Sequence, residues 1–213
     1  MAYDIEPEDD RIKKQDFLEL NLEYKKGRCV IGNPPYGSRN TLSVQFFKKA
    51  IKLSDYIVFI LPISQYNNNQ QMYEFDLIHS EDLGTYTYTD RELNCCLNIY
   101  KRLEKGLNNK PNYKLNDIKI VEYRRGGRTE IPDGYDYAMG AFGAGCVGKQ
   151  VDYVGKYALE CYFYIENIKF KDKVLYLLKN TDWKILSKGI SDTYRLPQWK
   201  IYKYIKEQIP EIS

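Results

Sequence analysis

Cys29-Val30-Ile31-Gly32-Asn33-Pro34-Pro35-Tyr36-Gly37 joins a short apolar run to a rigid polar turn. Cys29-Val30-Ile31 reads as a buried strand, and each proline of the turn fixes φ near −65°, so the adjoining carbonyls have little freedom of direction. An amine conjugated to an aromatic ring is a poor nucleophile, because its lone pair is delocalised into the ring. The side-chain carbonyl of Asn33 and the main-chain carbonyl of Pro34, held together, can accept both N–H bonds and pull them out of the ring plane. They also stabilise the positive charge that develops as the nitrogen takes up a methyl group. Tyr36 then offers a flat face for an extruded base. The bland alternative is an ordinary Pro-Pro turn behind a core strand.

Downstream of this turn, Ser43 to Leu53 places Val44, Phe47, Ala50 and Ile51 at helical spacing, so one face can cover a sheet. Tyr56-Ile57-Val58-Phe59-Ile60-Leu61 is a continuous apolar run that predicts a parallel strand buried on both faces, ended by Pro62. Further on, a strand pair is expected at Gly84 to Thr87 and Leu93 to Tyr100. Gly106 to Asn112 interrupts this periodicity and marks a boundary. The chain accordingly divides into domains at 1–105 and 112–213. In the second, Tyr157 to Ile165 predicts a strand, Asp172 to Leu178 a short strand or helix, and Gln198 to Gln208 a helix after Pro197.

Asn33-Pro34-Pro35-Tyr36 resembles motif IV of the amino-methyltransferases that use S-adenosylmethionine, especially the adenine-specific DNA enzymes of restriction–modification systems. Ala2 to Pro7 resembles motif II, whose carboxylate accepts hydrogen bonds from the cofactor's ribose; Asp4 matches best and Glu6 second. Ile12 to Leu18 resembles motif III, which would put Asp16 and Phe17 against the cofactor's adenine. The strand closing in Leu61-Pro62 fits the same order, and the resemblance implies that a polar loop and helix follow over 63–78. Leu93 to Tyr100 resembles motif VIII, where an aromatic, here Tyr88, packs on the target base. The fold class implied is α/β, a partial Rossmann-like methyltransferase sheet followed by a smaller α+β extension.

The glycine-rich motif I of that family has no room before Asp4, so the chain resembles a member that begins at the second strand. A second polypeptide supplying that strand, and weak activity without it, are the expectations. Met139 to Gln150 echoes a glycine loop, but Gln150 stands where a phosphate loop needs Ser or Thr. A tightly turned loop in a β-rich domain is the better reading, with Val151 to Gly155 a turn and strand.

At 213 residues and 43% hydrophobic content, the chain can bury one large core or two small ones. No run is long enough to span a bilayer, and no secretory signal opens the chain, so the expected location is cytoplasmic, with no membrane partner. Five cysteines, odd in number and without metal-ligand spacing, read as buried reduced thiols. His79, the lone histidine, reads as a surface residue.

The net charge of +3 decides nothing by itself. Its distribution says more: Arg124, Arg125 and Arg128 surround Gly126-Gly127, a hairpin tip suited to meeting phosphates or simply a solvated turn. The resemblance implies methyl transfer from S-adenosylmethionine to the adenine amino group of double-stranded DNA by base flipping, with Asn33, Pro34, Pro35 and Tyr36 catalytic. It also implies that 112–213 recognises the target. The alternative is an inactive, methyltransferase-derived module that binds DNA or protein, as an anti-restriction or regulatory factor. RNA bases or protein glutamine are other amide or amine substrates of enzymes with this tetrapeptide.

Overall fold

The computed structural model describes residues 1–88, 91–187 and 194–213, except for the side chains of 88 and 91. It is a mixed α/β chain with several sheets and few helices, and it separates into two compact units, Met1–Pro111 and Asn112–Ser213.

The first unit opens with β1 (Ala2–Asp4) and β2 (Ile12–Lys14), a short parallel pair. Its main sheet contains β3 (Cys29–Gly32), β4 (Tyr56–Pro62), β5 (Asp76–Tyr88) and β6 (Arg91–Lys101), in the order β3-β4-β6-β5. β3 and β4 run parallel, while β6 is antiparallel to both its neighbours. Between β3 and β4 lies α1 (Thr41–Ala50), the helix expected from the spacing of Val44, Phe47 and Ala50. Phe47 and Ala50 are fully buried against Ile57, Phe59 and Leu61 of β4, with Phe47 edge-on to Tyr100 at 4.9 Å and 65°. Each such large side chain contributes roughly 1.5–3 kcal/mol by leaving water.

β4 departs from the expected burial on both faces. Ile57, Phe59 and Leu61 are buried, but Tyr56, Val58 and Ile60 on the other face are only half-buried. The continuous apolar run concealed a two-sided strand, because its second face lies under partial cover only. The helix expected within 63–78 is also absent: a single 3-10 turn, Ile63–Gln65, leads through turns into β5. The Asn- and Gln-rich run there spends its amides on side-chain bonds that compete with a helix. The entry to β4 is fixed by Asp55, which accepts from Gly27 N at 2.7 Å and Tyr24 Oη at 2.8 Å and pairs with Arg102 at 3.1 Å. The Gly27 N–H foremost holds this carboxyl below the usual carboxylate range.

The second unit is built on β7 (Ile118–Arg124), β8 (Tyr137–Gly140) and β9 (Leu159–Ile165), an antiparallel sheet in the order β7-β9-β8. α2 (Ile168–Asn180), α3 (Trp183–Ser187) and α4 (Gln198–Gln208) cover one face. Phe170, Val174 and Leu178 of α2 and Ile201 and Ile205 of α4 are buried against Ile118, Met139, Cys161 and Phe163. Because β9 separates β7 from β8, the turn after Arg124 does not cap a hairpin of adjacent strands, as the sequence suggested. Residues 151–155 form turns with no strand.

The stretch 139–150 is tightly turned. Gly140 N donates to Lys149 O and Gly148 N to Gly140 O, both at 2.9 Å, and a Cβ on Gly140 would meet Cys146 O at 2.3 Å. These glycines serve close backbone packing. Cys95, Cys96 and Cys161 are buried, whereas Cys29 is exposed, contrary to the reading of all five as interior thiols. Burial pushes the Cys96 thiol up to about 12. His79 is exposed. Among the described residues no helix is long and apolar enough to cross a membrane.

Candidate functional site

A cavity of about 390 Å³ opens in the first unit where three separate stretches converge. Asp4 ends β1, Asp16 and Phe17 follow β2, and Asn33, Pro34 and Pro35 follow β3; all six line it. The convergence follows from the parallel pairing of β1 with β2, which puts both strand ends on the same side, reinforced by Gln15 N donating to Asp4 O at 2.8 Å. Its size is within the range of small-molecule sites, roughly 300–1,000 Å³.

Each carboxylate has one oxygen committed to holding its own loop. Asp4 Oδ1 accepts from Glu6 N at 2.9 Å and Asp16 Oδ1 from Leu18 N at 2.8 Å. The other oxygen of each has no partner among the described residues. Phe17 and Phe46 stack at 5.3 Å and 20°, and both rings belong to the cavity wall, with Phe59 behind. Two acceptor carboxylates beside an aromatic wall can take hydroxyl or amino donors at Asp4 and Asp16 and a flat ring against Phe17. Glu6, the second candidate for the ribose contact, does not line the cavity.

Asn33 is exposed, and its side-chain amide makes no hydrogen bond to any described residue. The residues around it are anchored instead. Pro34 is buried, and Pro35 O accepts from Ser43 Oγ at 3.1 Å, with Ser43 fully buried on α1. Gly37 takes φ 66° and ψ −179°, a combination essentially reserved for glycine. A Cβ there would meet Leu42 Cγ at 2.9 Å and Leu42 N at 3.1 Å. Gly37→Ala is therefore expected to destabilise the chain by about 2 kcal/mol, read as a lower urea midpoint with an unchanged slope.

Tyr36 does not line the cavity. It is half-buried, with its hydroxyl 3.4 Å from Cys95 Sγ of β6. The side chain of Tyr88 lies outside the described residues. Arg124, Arg125 and Arg128 belong to the second unit, exposed at and beyond the end of β7, where Gly126 at φ 74° and a Gly127 N to Arg124 O bond of 2.8 Å form the turn.

Sequence reasoning missed Phe46 and Ser43, which fell inside the expected helix segment but off its assigned face, and a buried amide cluster behind the turn. Asn40 Nδ2 donates to Ser64 Oγ at 3.1 Å, Gln65 Nε2 to Gln71 Oε1 at 2.7 Å, and Gln71 Nε2 to Arg39 O at 3.2 Å. This cluster holds Arg39 and Asn40 at positive φ, 53° and 64°, two and three residues after Gly37. Asn40 Oδ1 and Gln65 Oε1 remain buried without donors among the described residues. The polar run 67–71 was the available signal for this region, but its partners lie some thirty residues upstream.

The chain matches no protein-family model, no curated protein and no solved structure.

Proposed function

We propose that the chain is an amino-methyltransferase polypeptide acting on the exocyclic amino group of adenine in DNA. The observation that carries this reading is the shared cavity. Asp4, Asp16–Phe17 and Asn33–Pro35, singled out for separate roles by resemblance, line one space at the carboxyl ends of β1, β2 and β3. On this reading β3 and β4, adjacent and parallel, would stand for two strands of the Rossmann-like sheet that such enzymes carry.

Asp4 would accept from the ribose hydroxyls of S-adenosylmethionine and Asp16 from its adenine amino group, with Phe17 against the ring. The bound cofactor supplies an electrophilic methyl group on a sulfonium. The chain's own work is on the nucleophile: Asn33 Oδ1 and Pro34 O accept the two N–H bonds of the target amine and restore its lone pair. An exposed Asn33 without competing partners, on a backbone fixed by two prolines, Ser43 and Gly37, is suited to this. The target nitrogen would take the methyl group directly as its bond to sulfur breaks, leaving a neutral thioether, and would then release its surplus proton to solvent; no nucleophilic side chain and no covalent enzyme intermediate are required. The second unit would then contact DNA through Arg124, Arg125 and Arg128.

Titration of S-adenosylmethionine into the chain, followed by isothermal calorimetry and amide NMR, tests the cavity. The expected result is that the amides of Asp4, Asp16 and Phe17 shift, that adenosine competes, and that Asp16→Ala weakens binding about tenfold or more. Binding that leaves those amides unmoved, or that Asp16→Ala does not weaken, overturns the assignment.

A further inference from the structure

The helices of the second unit cover one face of its sheet, and the other face is built of tyrosines. Along β7, Ile118 and Ile120 point to the helices, which leaves Lys119, Val121 and Tyr123 on the opposite side; along β9, Tyr162 and Tyr164 alternate with Cys161, Phe163 and Ile165. Cross-strand register pairs Lys119 with Tyr164 and Val121 with Tyr162. Tyr162 is fully buried, the hub of this face, with Tyr135 edge-on at 4.8 Å and Tyr123 at 6.2 Å. Tyr123, Tyr135 and Tyr164 are only partly buried, and their hydroxyls make no hydrogen bond to any described residue. Three aromatic rings packed around Tyr162 thus keep part of their surface open to solvent.

Lys119 and Arg125, the cations beside these rings, form no ion pair with any described residue, whereas Lys156 is paired with Asp152. Lys119 Nζ sits 5.5 Å from the Tyr164 ring centre and Lys156 Nζ 5.3 Å from that of Tyr157. A Cβ on Gly155 would touch both the Arg125 side chain and the Tyr123 ring at 3.9 Å, so the guanidinium stem and the ring flank the same glycine. The carboxylates nearby are committed: Glu160 is buried with three donors on it, and Asp152 pairs with Lys156 at 2.5 Å. The asymmetry extends over the whole chain. From Asn112 onward there are 17 Lys and Arg against 13 Asp and Glu, whereas up to Pro111 there are 15 against 16.

We infer that this tyrosine face, with Lys119 and Arg125 at its rim, is a stacking surface for single-stranded nucleic acid. The partly exposed rings beside the turn that covers Tyr162 can meet bases only where these are not already stacked and paired, while cations at the edge follow the phosphates. Duplex DNA offers the same phosphates but hides its bases, so the tyrosines would gain nothing from it.

The test is fluorescence anisotropy of the full chain with a labelled oligothymidylate and with a labelled duplex. Tyr164→Ala and Tyr123→Ala are each expected to weaken single-strand binding about tenfold, whereas Tyr164→Phe keeps the ring and stays within about twofold of the wild type. Lys119→Ala is expected to flatten the dependence on salt. The inference is overturned if the alanine variants, shown to be folded by circular dichroism, bind the single strand like the wild type, or if they weaken duplex binding as much as single-strand binding. It is equally overturned if neither nucleic acid binds. All of these residues belong to the second unit, so such a failure leaves the cavity of the first, probed by S-adenosylmethionine, unaffected.

Discussion

Asn33→Ala is expected to lower methyl transfer to adenine by about 100- to 1,000-fold, the loss typical of removing one pre-aimed polar group from a developing charge. S-adenosylmethionine affinity should stay within about twofold, because the nucleoside contacts assigned to Asp4, Asp16 and Phe17 are untouched. Stability should also hold, since the Asn33 side chain is exposed and makes no hydrogen bond to any described residue. That separation makes the variant informative: most site mutations confound catalysis with folding, and this one does not. Single-turnover transfer of labelled methyl groups to DNA, beside a urea melt of the same sample, reads both quantities. Retained transfer would remove Asn33 from the chemistry. If instead the chain's biological effect survived Asn33→Ala but was lost on replacing Arg124, Arg125 and Arg128, the binding-module reading would replace the enzyme.

The elements that the sequence announced are those whose stability comes from local pattern. α1 repeats its apolar residues at three- and four-residue intervals, and α4 starts after Pro197 and carries its own periodic face, so both are legible within one window. β4 was legible as a strand, but not as a two-sided one, because Tyr56, Val58 and Ile60 are apolar enough to pass for core residues while half-buried. β1 and β2 are three residues each, too short for any period, and their meaning lies wholly in pairing with one another. The same is true of the candidate site. Asp4, Asp16 and Asn33 were singled out by resemblance and order, whereas their opening onto one cavity depends on parallel registers that no local window encodes. Phe46 was hidden for a similar reason: the helical pattern assigns it to a flank of α1, and only the stack on Phe17 brings it to the wall.

Glu160→Ala is expected to destabilise the chain by about 3–5 kcal/mol, a large part of the roughly 5–15 kcal/mol that holds a typical domain together. Glu160 is fully buried on β9, and its two oxygens accept from Gly155 N at 2.9 Å, Tyr157 N at 2.7 Å and Tyr162 Oη at 2.5 Å. Truncation removes one acceptor group and strands three donors, each of which costs about 1–3 kcal/mol if water does not reach it. The turn 153–157 has no strand pairing of its own, so these bonds are what fastens it over the Tyr162 face. Burial, aided by the Glu160 carboxylate, holds the Tyr162 phenol protonated well above the ordinary tyrosine range. Loosening the turn in the alanine variant therefore lets Tyr162 ionise at lower pH, which tyrosinate absorbance can follow. Glu160→Gln keeps one acceptor but turns an NH₂ toward the remaining donors, and should fall between wild type and alanine in a urea melt. Were Glu160→Ala to cost under about 1 kcal/mol, with the Tyr162 titration unmoved, the turn must be held by something other than this carboxylate.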